Sequence, residues 1–144
     1  MTRRPAAGER GSATLELVVW APGLLLLLGL LAAAGRITAA QGVVEQAAVD
    51  AARTASVART PSQARSDAHT TAGATLAGSA LHCATLTVAV DTRGFAVPVG
   101  QPATVTATVT CPVRLADLAL PGLPGSRTVT AQARSPLDTY RERA

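Results

Sequence analysis

Glu16, Cys83, Cys111, His69 and His82 are the residues of this 144-residue chain whose chemistry could set its function. Glu16 stands one position before an uncharged apolar run, Leu17–Gly35. A carboxylate at such a boundary costs on the order of a few kcal/mol unless it reaches water or a cation. Two roles follow: an interfacial acid that complements the dipole of a helix start, or a carboxylate kept for pairing with a cation on a neighbouring subunit. Cys83 and Cys111 are the only cysteines, and an even count in an exported chain fits one disulfide. Closing the loop between them would stabilise a small domain by roughly 3 kcal/mol on the chain-entropy estimate. Neither histidine has an organised acid and nucleophile nearby, and there is no Gly-x-Ser-x-Gly elbow. His82-Cys83 lacks a second ligand pair at zinc spacing, and no phosphate-binding glycine loop occurs. The reading is a non-enzyme with no metal site and no cofactor.

Charge points away from nucleic acid. The net charge is +4, but the arginines are scattered, and no aromatics interleave with them to stack bases. The chain has one Trp, one Tyr and one Phe, so any core must be built from Ala, Val and Leu. Such a core buries less apolar area per residue, at about 25 cal/mol per Å2. A head of this kind gains much from a staple or a partner.

The elements that position these residues begin with the apolar run. Its 19 residues would span roughly 28 Å as a helix, close to the thickness of a bilayer's hydrocarbon core. Its breakers, Pro22, Gly23 and Gly29, are of a kind membrane helices tolerate. Arg3, Arg4 and Arg10 precede the run, while Glu45 and Asp50 follow soon after Arg36. That basic excess keeps the N-terminus cytoplasmic and sends the remainder across. Ala32–Ala34 resembles the cleavage site of a secretory signal, which would release a soluble protein beginning at Gly35. The length of the run and the abutting Glu16 favour an uncleaved anchor.

Arg10-Gly11-Ser12-Ala13-Thr14-Leu15-Glu16-Leu17, followed directly by an apolar helix, resembles the N-terminal signature of type IV pilin-like proteins. More closely, it is similar to the TadE-like pseudopilins of Tad/Flp pilus systems. The resemblance implies a prepilin peptidase cutting between Gly11 and Ser12, which would make Glu16 the fifth residue of the mature chain. It also implies a role for Glu16 in subunit packing, by attracting the new amine of an adjoining subunit in a low-dielectric setting. The implied partners are the membrane, a prepilin peptidase and other pilin-like or pilus-assembly proteins. Leu17 departs from the pattern, since related major pilins often carry an aromatic there.

Beyond the run, Ile37, Ala40, Val44, Ala47, Ala48, Ala51, Ala55 and Ala58 form a small-residue stripe at helical spacing over 37–59. Thr60-Pro61 predicts a new cap, and a second helix from about Ser62 to Leu81. After Cys83 the period changes to two. Leu86–Val90, Thr104–Thr110 and Thr128–Ala133 alternate an apolar face with a threonine face, predicting three antiparallel strands covered by the first helix. Strict alternation puts Cys83 and Cys111 on opposite faces, so either Cys83 precedes its strand or a bulge intervenes. The segment Arg114–Gly125 is expected to supply a turn or two of helix, as a core plug or as a docking patch.

The whole reads as α+β, with a cytoplasmic leader over 1–11, a transmembrane helix over 12–36 and an exocytoplasmic domain over 37–144. The expected function is that of a membrane-anchored, TadE-like pseudopilin or minor pilin acting by protein–protein contact. The alternatives are a signal-anchored surface domain without a pilus role, and a Sec-exported soluble protein.

Overall fold

A computed structural model describes residues 10–79, 81–114, 125–140 and 142, with the backbone alone for 10–16. Its order is α1 (Arg10–Val57), α2 (Pro61–Ala77), β1 (Thr87–Asp91), a short 3-10 turn (Arg93–Ala96), β2 (Ala103–Arg114) and β3 (Ser126–Leu137). The fold is α+β, as the sequence predicts. The chain divides into two compact units, one ending at Gly35 and the other, the head, beginning at Arg36.

The break between the helices is chemical. Thr60 is extended and its Oγ1 accepts a hydrogen bond from the Gln63 N–H at 3.2 Å, satisfying one donor left open by the helix start. Pro61 follows at the first helical position, where its missing N–H costs nothing. α2 ends at Gly78 rather than near Leu81; the Gly78 N–H bonds back to the Ala74 carbonyl at 3.1 Å.

The sheet is antiparallel in the order β1-β2-β3. Val105, Ala107, Val109, Cys111 and Val113 of β2 are buried, as are Val129, Ala131, Ser135 and Leu137 of β3. The intervening threonines stay on the wetter face, so the period of two is realised as read. Both strands run further than the alternation alone indicated, through Pro112 in β2 and Pro136 in β3.

Helices cover the apolar face. On α1, Val44, Ala47, Ala48, Ala51 and Ala55 have no exposure, and on α2 neither have Ala64, Ala68 and Ala72. Alanine here permits close backbone approach, so contact replaces side-chain bulk. α1 is the expected cover, and α2 shares the task, packing on β1. Asp50 of α1 accepts a hydrogen bond from Thr75 of α2 at 3.0 Å, fixing the helices to each other. Phe95, carried by the 3-10 turn, joins the same core. That turn approaches β2 so closely that a Cβ at Gly94 would run into the Thr104 carbonyl oxygen.

Candidate functional site

Gly11, Ser12 and Glu16 all lie on the helical backbone of α1, which starts at Arg10. Glu16 is thus in the second turn of the helix. The helix dipole acts mainly within the first turn, so in the uncut chain it offers Glu16 little. The side-chain surroundings of Gly11, Ser12 and Glu16 lie outside the described residues.

Over Leu17–Gly35 α1 carries no charged side chain. Leu24–Leu28 are 53–76% exposed, and Leu17, Trp20, Leu30 and Leu31 are exposed with them. An exposed apolar surface of this extent marks a membrane or protein contact. It suits lipid, where leucine needs no protein partner. Pro22 sits within the helix, and its missing N–H leaves a carbonyl one turn back without its usual donor. Membrane helices accommodate this through neighbouring helices, polar side chains or local adjustment. Among the described residues, one helix is long and apolar enough to cross a membrane.

The second chemical feature is in the head. Cys83 and Cys111 form a disulfide, with Cα atoms 5.2 Å apart. Both routes left open by their alternation operate together. Cys83 precedes β1, in an isolated bridge with Val113, while the regular ladder begins at Thr87 opposite Thr110. Between these pairs, the three residues Ala84–Leu86 face only Cys111 and Pro112, a one-residue bulge. The bulge brings Cys83 opposite a residue of the buried face, within bonding reach of Cys111.

Pro112 and the bulge explain each other. The Pro112 carbonyl accepts from the Ala84 N–H at 2.9 Å, so the edge on which Pro112 lacks a donor is the edge where the ladder is interrupted. A proline in a central strand is tolerated at such a place.

Electrostatics in the head are local. Arg93 donates to both carboxylate oxygens of Asp91, the shortest contact being 2.6 Å. These side-chain bonds, with one from the Arg93 backbone N–H, hold the Asp91 carboxyl down at about 2. Arg93 is raised in turn by the same bonds. The pair is exposed and organises the turn after β1, not a reaction site. His69 and His82 are both exposed, on α2 and in the segment before β1. Among the described residues, no three of His, Cys, Asp or Glu gather to hold a metal ion. Sequence reasoning missed the Asp91–Arg93 pair, although an Asx turn at Asp-Thr-Arg was a readable signal.

Ser135 was also missed. It is buried on β3 and donates to Ser56 Oγ on α1 at 3.0 Å, and Ser56 donates onward to the Arg53 carbonyl at 2.8 Å. This relay satisfies a buried hydroxyl. It also pins the outer end of the α1 head segment to β3.

Comparison with known families matches residues 11–53 to the TadE-like protein family. The matched stretch holds Gly11, Ser12, Glu16, the apolar run and the first part of the head helix. No curated protein and no solved structure matches the chain.

Proposed function

We propose that the chain is a membrane-anchored, TadE-like pseudopilin or minor pilin that acts by protein–protein contact in assembling a Tad/Flp-type pilus or a related secretion apparatus. The observation that carries this reading is the TadE-like match over 11–53, in which Glu16 directly precedes the uncharged stretch Leu17–Gly35 of α1, whose leucines are exposed. On this reading residues 1–11 are a cytoplasmic leader, 12–36 cross the membrane and 37–144 form an exocytoplasmic head. A prepilin peptidase cuts between Gly11 and Ser12.

The physics supports each step. The junction lies at the N-terminal end of α1 as described, ahead of the uncharged run. Cutting there moves the helix start to Ser12. Glu16 then sits about one turn from a new positive amine. In the assembled state the amine of an adjoining subunit and the Glu16 carboxylate attract strongly where water is scarce. A missing partner leaves a costly charge, so the pair selects for correct axial register between subunits.

The test is the N-terminal residue of the mature protein, read by mass spectrometry of the native membrane fraction. A start at Ser12, lost on Gly11→Ala, is expected. A start at Met1 or Thr2 would leave a plain signal anchor, and a start at Gly35 would remove the anchor itself. With Ser12 established, Glu16→Ala is expected to leave the chain in the membrane and abolish its co-purification with other pilin-like subunits.

A further inference from the structure

The Pro112 carbonyl faces the segment before β1, where Ala84 donates to it, and backbone direction alternates along a strand. Even-numbered residues of β2 therefore turn their N–H and C=O towards β1, and odd-numbered ones towards β3. The register carries this outward. Thr87, Ala89 and Asp91 bond to β2, while Val88 and Val90 turn their backbone groups away from the sheet. On β3, Val129, Ala131 and Ala133 bond inward, and Thr128, Thr130, Gln132 and Arg134 point outward. Among the described residues, no hydrogen bond engages the outward backbone groups of these six residues. The sheet of the head thus has an open edge on either side, and an open edge is a template for another strand.

The two edges complement each other. β1 and β3 both run antiparallel to β2 and hence parallel to one another. A second copy in the same orientation can lay its β1 against β3 as a parallel fourth strand, apolar face continuing apolar face. One register fits best. With Val88 of the second copy level with Ala131, its Leu86 lies by Val129 and its Val90 by Ala133, while its Asp91 lies by Arg134 on the threonine face. Leu86, Val88, Val90 and Ala133 are only half-buried in the single chain, so each gains cover. Val88 then donates to the Thr130 carbonyl and accepts from the Gln132 N–H, and Val90 donates to the Gln132 carbonyl and accepts from the Arg134 N–H. A shift one way would ask Pro136 for an N–H it lacks, and a shift the other way would set Leu86 against Arg127. Charge selects the same partner. β3 carries Arg127 and Arg134 and no carboxylate, so a second β3 would bring only like charge, whereas β1 brings Asp91, which Arg93 and Arg134 would share.

We propose that copies of this chain join edge to edge through their heads, β3 of one beside β1 of the next, in this register. The pairing gives the subunit contact of the proposed function a surface, and it rests on that reading. So short a ladder forms where copies are already concentrated, in one membrane or one assembly. The contact is heterologous, so each copy added leaves a fresh edge for another.

The test uses the full chain in phosphatidylcholine vesicles, crowded or diluted with lipid, and hydrogen exchange resolved to single amides. On crowding, the N–H groups of Val88, Val90, Gln132 and Arg134 are expected to slow together, at least about tenfold, while that of Thr128, outward but beyond the ladder, stays fast. Unchanged exchange at all four overturns the proposal. Slowing along 128–134 without Val88 and Val90 overturns it too, since it shows a different strand on β3, such as a second β3. A cross-link checks the register. Ala89→Cys in one tagged chain and Gln132→Cys in another occupy exposed positions that the pairing sets side by side. Oxidation is expected to join them at least about fivefold more than Ala89→Cys with Thr128→Cys, which lies about 13 Å further along the strand and out of disulfide reach. Equal yields overturn the proposal. The N-terminal residue of the mature protein reports the parent reading separately. A start at Met1 or Thr2 removes pilin-type processing whatever the amides show, whereas a Ser12 start with four unchanged amides sinks the edge contact alone.

Discussion

The apolar run and the head use the same class of residue in opposite ways. In the run the large aliphatics face outward, with Leu26 76% exposed. In the head the buried positions are small, and Ala51 has no exposure at all. On the membrane-anchor reading, the difference lies in the solvent each region meets. A leucine in lipid is solvated wherever it points, so its position carries little information about neighbours. An apolar side chain in water must be covered, so its spacing reports the element beneath it and the face that is hidden. One region is specified by composition, the other by pattern.

The comparison predicts that damage in one region leaves the other standing. The largest effect is expected from Cys83→Ser with Cys111→Ser, which should lower head stability by about 3.5 kcal/mol on the chain-entropy estimate. Urea denaturation of the full chain in detergent measures it, and the membrane fraction should retain the protein. A loss under about 1 kcal/mol would mean that the bulged ladder holds Cys83 without the bond. Slightly smaller, and confined to the other region, is Leu26→Asp. A carboxylate at the centre of the run should oppose insertion by about 3 kcal/mol. Alkaline extraction of membranes should then release a chain whose head is still folded and oxidised.

Ala48→Leu sharpens the contrast further. Ala48 has no exposure, and overpacking a site of this kind costs roughly 1–3 kcal/mol. Leu27→Ala in the run should cost the head nothing in the same denaturation assay. The smallest effect is electrostatic and belongs to the head. The Asp91 carboxyl titrates at about 2 in the fold, against an ordinary value of 3.8. Its folded pKa is depressed, so its contribution is complete above about 3.8 and is lost as the pH falls through about 2. Asp91→Asn should flatten that part of the acid limb, and salt should shrink the effect because the pair is exposed.

Much of the head was legible because water enforces the pattern. The threonine alternation gave all three strands, and Thr60-Pro61 marked the boundary between the helices with no reference to tertiary structure. What escaped was set by contacts distant in sequence. The alternation reached only Thr110, and Pro112 lay beyond it, where a proline removes a ladder donor. Only the pairing of β2 with the segment before β1 shows that this donor falls at the bulge. Nothing in the sequence marked Phe95 as buried, and its burial goes with the close approach of Gly94 to Thr104. Ser135 continued the buried face of β3 with a polar side chain, and its partner lies 79 positions away. The short helix expected in Arg114–Gly125 falls largely outside the described residues. Gly11, Ser12 and Glu16 were singled out by a family resemblance in their order and spacing. The role proposed for them concerns a peptidase and a second subunit, and neither is encoded in the packing of one chain.

The common direction of α1 and β3 has a mechanical consequence. Within the head, Gln41 and Glu45 of α1 share a cleft with Arg127–Thr130 of β3 and Ser56 bonds to Ser135 further along, so a pull along this part of α1 runs parallel to β3. The interface between them is therefore loaded in shear, with its alanine contacts and the Ser56–Ser135 relay strained together instead of parting one after another. The disulfide lies off this line, between β2 and the segment before β1, and carries little of the force. A subunit built this way would yield late and all at once when drawn by its stem, and far more readily if peeled from the β1 edge.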